Sequence, residues 1–184
     1  GNWQEQKIFE SSGTTGMVTS RHYVANLAIY EQSFLEGFER QYGSIQNWCV
    51  LALLPTYLER ENSSLVYMAN KMIAMSGHSE SGFYLYNYAE LANKIAALES
   101  RGQPTLLLGV TFALLDFAAQ FPMQLTYTVV METGGMKGRG RELTRPELHE
   151  TLIERLSLPS IHAEYGMTEL LSQAYSKSGG RYYC

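Results

Sequence analysis

Three short stretches carry residue types suited to a phosphorylated ligand. The first, Glu10-Ser-Ser-Gly-Thr-Thr-Gly16, packs two glycines and four hydroxyls into seven residues. Glycine lets the backbone curl so that successive N–H groups face an anion. Ser11, Ser12, Thr14 and Thr15 add neutral donors around Gly13 and Gly16. No lysine follows Gly16, so the stretch lacks the ending of a Walker A loop. Neutral donors suit a nucleotide tail that must leave as pyrophosphate. A plain Ser/Thr/Gly turn has the same composition.

The second stretch is Glu132-Thr-Gly-Gly135, where Gly134 and Gly135 would let a flat ring approach the backbone closely. A turn after a buried strand is the other reading, and Lys137, Arg139 and Arg141 beyond it read as a solvated loop. The third is Tyr165-Gly-Met-Thr-Glu169. Glu169 offers the hard oxygen that Mg²⁺ prefers, Thr168 a hydroxyl for a phosphate, and Tyr165 an aromatic face for a purine. The competing reading is a strand end turning into a helix, with Tyr165 packed and Glu169 solvated.

The surrounding pattern alternates short apolar runs with helical periodicities. Strands are expected at Lys7–Glu10, Trp48–Leu54, Gly82–Tyr86, Thr105–Val110, within Gln124–Met131 and at Ser160–Glu164. Tyr23, Leu27, Tyr30, Phe34 and Phe38 recur at helical spacing, with Thr19 or Ser20 as candidate caps. Further helices are expected at Ser64–Met75, at Ala89–Leu98 and from Phe112. Thr144 and Glu147 form a capping box ahead of an apolar stripe of Leu148, Leu152, Ile153 and Leu156. Alternation of this kind predicts an α/β fold, a mainly parallel sheet flanked by helices. Ligands of such sheets bind beyond the carboxyl ends of the strands. Each of the three polar stretches follows an expected strand, so all three are expected to face one cleft.

Bulk properties narrow the function classes. The chain has 184 residues, 45% hydrophobic and 17% charged, as an ordered globular segment requires. A net charge of -4 argues against a general nucleic-acid grip. Cys49 and Cys184 show neither a disulfide framework nor a zinc pattern. The longest apolar stretch, Leu106–Phe121, holds Gly109, Asp116 and Gln120 and is too short and polar to span a bilayer. A reducing, cytoplasmic setting is expected. His22, His78, His149 and His162 lack metal-ligand spacing; His162, nearest the third stretch, is the one to watch. Thr111 and Phe112 are candidates for lining an acyl pocket or for plain packing.

Taken together and in this order, SSGTTG, then GG before a capped helix, then YGMTE resemble the acyl-adenylate-forming superfamily. That superfamily includes acyl-CoA ligases, luciferases and peptide-synthetase adenylation domains. EYGMTELLSQAYS, ETGGMKGRGREL and LLGVTFALLDF are most similar to its acyl-protein synthetase branch. The resemblance runs from Glu10 to Cys184. It implies that residues 1–184 are a single α/β segment, the central part of the large N-terminal domain of an adenylate-forming enzyme. It implies ATP and Mg²⁺ as cofactors and a carboxylic acid, such as a fatty acid, as substrate. The acid would be activated as acyl-AMP and its acyl group transferred to a protein thiol or, in the ligase alternative, to coenzyme A. Ser11, Ser12, Gly13, Thr14, Thr15 and Gly16 would hold the ATP phosphates, and Gly134 and Gly135 would line the adenine and acyl site. Tyr165, Gly166, Met167 and Thr168 would line the nucleotide, with Tyr165 on adenine and Thr168 at the α-phosphate. Glu169 would bind Mg²⁺, and Thr168 and Glu169 are the catalytic candidates.

The chain departs from the family pattern in places. Arg21 stands near where the family often has a lysine, and Ala163 stands where an asparagine is common. The ribose-binding aspartate and lid lysine of the family lie beyond YGMTE, where fifteen residues remain. The expectation is a piece inactive in complete acyl transfer, with apolar edges that favour self-association. A nucleotide-binding or scaffolding segment without turnover is the alternative from another class.

Overall fold

The structure, a computed structural model, describes residues 6–10, 20–55, 62–134, 143–178 and 181–183. Its centre is a six-stranded sheet built from β3 (Cys49–Leu53), β4 (Gly82–Tyr84), β5 (Thr105–Val110), β6 (Thr128–Thr133), β7 (His162–Met167) and β8 (Ser172–Ser176). The strand order is β4-β3-β5-β6-β7-β8. Every pairing is parallel except that of β7 with β8. β1 (Lys7–Glu10) and β2 (Arg21–Val24) form a separate antiparallel pair.

Local sequence accounts for most elements. All residues of β3 and β5 are buried, as expected of central parallel strands written in continuous apolar runs. The helices are α1 (Leu27–Tyr42), α2 (Ser64–Ser76), α3 (Tyr88–Ser100), α4 (Thr111–Gln120) and α5 (Arg145–Leu156). Ser63 caps α2 by accepting from the Val66 amide. The capping box at Thr144 and Glu147 opens α5 as expected, and Leu148, Leu152 and Leu156 bury its stripe. At Gly109 a Cβ would stand 2.6 Å from the Leu114 side chain, so only glycine lets α4 fold back tightly on β5.

The sheet's flanks differ. α1 packs on β8 and against α2, which packs on β3, while α4 packs on β5 and β6 and α5 packs on α4. Among the described residues no helix is long and apolar enough to cross a membrane.

Three expectations are corrected. Tyr23 lies in β2, and the cap of α1 is Asn26, whose side chain accepts from the Ala28 amide, rather than Ser20; Thr19 lies outside the described residues. The strand expected to end at Glu164 continues through Met167, because Tyr165–Met167 pair with Ser172–Ala174 of β8. β1 stands outside the main sheet, so the Ser/Thr/Gly stretch does not follow one of that sheet's strands.

Candidate functional site

A cleft of about 220 Å³ opens where β1, α2, β6 and β7 approach one another. Glu10 at the end of β1, Ser63, Ser64 and Leu65 at the start of α2, and Thr133 and Gly134 at the end of β6 line it. The third stretch contributes Tyr165, Gly166, Met167 and Thr168. Tyr30, Glu164, Ser172 and Gln173 complete the wall. The segments are tied to one another by hydrogen bonds. The Glu10 amide donates to the Asn62 carbonyl at 2.9 Å, joining β1 to the approach of α2. The Tyr30 hydroxyl donates to the Ser64 carbonyl at 3.1 Å, and the Ser64 and Thr168 hydroxyls lie 2.9 Å apart.

The floor holds a buried polar network. Glu164, only 8% exposed, accepts from the Thr133 hydroxyl and from the Gln173 side-chain amide. Burial raises its carboxyl above the usual range, the two hydrogen bonds pull it back, and the charge of Glu132 adds to the rise. Gln173 is 3% exposed, and among the described residues its Oε1 has no hydrogen-bond partner. A Cβ on Gly166 would stand 2.6 Å from that Oε1 and 3.1 Å from Glu164 Oε1. Glycine at 166 therefore leaves the space in which the Gln173 amide crosses to Glu164.

Gly134 has φ 71°, a left-handed conformation that glycine adopts without strain. Its carbonyl accepts from the Thr111 hydroxyl at 3.0 Å. Thr111 is thus a buried anchor of the ETGG turn, and its hydroxyl is spent on that turn. Behind β6, Glu132 pairs with Arg145 Nε at 3.0 Å, and His149 Nε2 lies 3.6 Å from the same carboxylate oxygen.

The sequence-derived candidates fall into three groups. Gly134, Tyr165, Gly166, Met167 and Thr168 come together in the cleft wall. Glu169 is exposed in a 3₁₀ turn, Thr168–Leu170, beside Thr168 and outside the wall. Ser11, Ser12, Gly13, Thr14, Thr15, Gly16 and Gly135 lie outside the described residues, although their neighbours Glu10 and Gly134 both line the cleft. His162 is elsewhere: its Nδ1 lies 2.9 Å from the Tyr42 hydroxyl, and burial depresses its pKa to about 4 with help from the Lys177 charge. Sequence reasoning missed Ser63, Ser64, Glu164 and Gln173. A serine pair opening a helix signals a cap, but nothing in the sequence tells what that cap faces.

The arrangement can hold an anion between hydroxyls and a helix N-terminus, with Tyr165, 52% exposed, offering a ring at the rim. Among the described residues no group of three or more His, Cys, Asp or Glu is placed to hold a metal ion. A Mg²⁺ that keeps most of its waters needs only one or two carboxylates and phosphate oxygens. Exposed Glu169 next to Thr168 fits that modest donor set. No protein-family model and no curated protein matches the chain.

Proposed function

We propose that this chain belongs to an AMP-forming ligase that activates a carboxylic acid, such as a fatty acid, as acyl-AMP and passes the acyl group to a protein thiol. The observation that carries this reading is the shared cleft. The end of the strand leading into SSGTTG, the Gly134 turn of ETGG and the residues of YGMT all line it.

In this reading ATP would lie with its purine against Tyr165 and its phosphates toward Thr168, with Ser11–Gly16 the further candidates for holding the phosphates. Thr168 would donate to a non-bridging oxygen of the α-phosphate while the substrate carboxylate attacks phosphorus, the bond to the β-phosphate breaks and pyrophosphate leaves with the electron pair. Glu169 would hold Mg²⁺, which when bound would supply charge neutralisation on the phosphates. No protein nucleophile is required for this half-reaction, because its barrier is lowered mainly by stabilising charge that gathers on phosphate oxygens. Coenzyme A as acceptor would share the same first half.

Calorimetry with ATP and Mg²⁺, run beside ATP–pyrophosphate exchange over a panel of fatty and aryl acids, tests the reading. Acid-dependent exchange by the full-length enzyme is the expected result. There Glu169→Gln, which keeps side-chain size and removes the charge, should lower exchange by on the order of a hundredfold with an unchanged melting temperature. Nucleotide binding without any acid-dependent exchange would favour a binding segment without turnover. Mass spectrometry of the product separates a protein acceptor from coenzyme A.

A further inference from the structure

Ser64 opens α2, and Thr168 begins the turn after β7; their hydroxyls meet at 2.9 Å in the cleft wall. Two hydroxyls that share one hydrogen bond leave one O–H proton free for a third oxygen, whichever of the two donates. The pair therefore presents one free donor backed by two oxygens. Ser64 is itself fixed, since Tyr30 donates to its carbonyl and Ser63 caps the helix it begins.

We infer that Ser64 is a positioning residue for Thr168, so that the two hydroxyls act as one grip on an anionic oxygen of a nucleoside phosphate. The inference rests on the adenylate reading above and adds to it the residue that fixes Thr168 for the phosphate. The first amides of α2 lack carbonyl partners within the helix and form its positive end, so negative charge is favoured at the Ser64 side. Elsewhere in the same wall Glu164 and the unpartnered Gln173 Oε1 are acceptors; they disfavour an anion and call for a donor such as a sugar hydroxyl or an amine. The cleft is polarised, and a nucleoside phosphate matches both ends. Thr168 is β-branched with few χ1 choices, and the bond from Ser64 selects the rotamer that keeps its oxygen in the cleft.

AMP and adenosine are the probes, titrated against the whole chain by calorimetry. The wild-type protein should bind AMP more tightly than adenosine. Ser64→Ala should weaken AMP by about tenfold and leave adenosine unchanged, because only the phosphate contact is lost. Ser64→Thr, which keeps the hydroxyl, should restore most of the AMP preference. Thr168→Ala should cost a similar factor, and the double variant should cost little more than either alone. Equal weakening of AMP and adenosine by Ser64→Ala, or no change in either, would overturn the inference while leaving the nucleotide reading standing. Failure of wild-type protein to bind either probe would overturn both.

Discussion

Glu132, near the carboxyl end of β6, and Glu164, in the middle of the neighbouring parallel strand β7, are both almost wholly buried, and the protein treats them differently. Glu132 meets cationic chemistry: Arg145 pairs with it, and His149 lies beside it, both from α5. Among the described residues Glu164 accepts from neutral donors, Thr133 and Gln173, and it lines the cleft. A buried carboxylate that is ion-paired clamps a helix to a sheet. One held by an alcohol and an amide keeps its polarity available to a site, at the cost of a raised pKa. The contrast divides this part of the sheet into a flank clamped by α5 and a flank that opens on the cleft.

Removing the cation should give the largest effect. Arg145→Met keeps apolar bulk but strands the Glu132 charge, and Arg145 also lies over the Tyr182 ring with its Cζ 5.7 Å from the centroid. Arg145 is about half exposed, so the loss falls between surface and buried ion pairs, about 2–3 kcal/mol by denaturant unfolding. Nucleotide affinity should change little. A large loss of affinity at unchanged stability would move Glu132 to the functional side of the comparison.

Gly166→Ala is the complementary probe of the other flank. Its Cβ would drive the end of the Gln173 side chain away from Glu164. Because that side chain can swing, the destabilisation should be ~1–2 kcal/mol, chiefly the lost hydrogen bond to a buried group. Here AMP affinity should fall with stability. Wild-type affinity in this variant would show that the cleft floor does not shape the ligand site.

A subtler separation comes from pH. The folded pKa of Glu164 is raised, so the native state holds this proton more tightly than the unfolded chain. Its contribution to stability is present at acid pH and is lost as pH rises above about 4.5, the ordinary value, through the raised one. His162 has the opposite sign. Its folded pKa is depressed to about 4, so stability is lost as pH falls from about 6.5 toward that value. The two partly cancel in mild acid. Glu164→Gln should therefore steepen the loss of melting temperature on acidification from neutral pH, and His162→Asn should flatten it. Each change in slope is bounded by about 1.4 kcal/mol per pH unit. Parallel profiles for wild type and both variants would refute the opposed assignments.

How legible this was in the sequence depended on how local the cause was. Continuous apolar runs gave β3 and β5, and the Thr144–Glu147 box gave α5, because chain neighbours decide them. β8 gave no such signal: Ser172-Gln-Ala-Tyr-Ser176 has no β-branched residue, and its burial comes from packing under α1. Tyr23 was drawn into a helical reading because it stands four residues before Leu27, although Asn26 starts the helix between them. In the site, Gly134 and Tyr165–Thr168 were legible as residue types with chemistry. Ser64 and Gln173 were not, since each matters through a partner far along the chain or across a hairpin.

The central claim is that the cleft between α2 and the ends of β6 and β7 is where a nucleotide binds. Titration of ¹⁵N-labelled protein with AMP, followed by ATP with Mg²⁺, tests it most directly, residue by residue. Saturable amide shifts are expected at Ser64, Leu65, Gly134, Tyr165, Gly166 and Thr168, with Arg145 and His149 nearly still. Shifts confined to the far groove of Pro122–Gln124 and Glu154–Ser157, or none at saturating nucleotide, would contradict it.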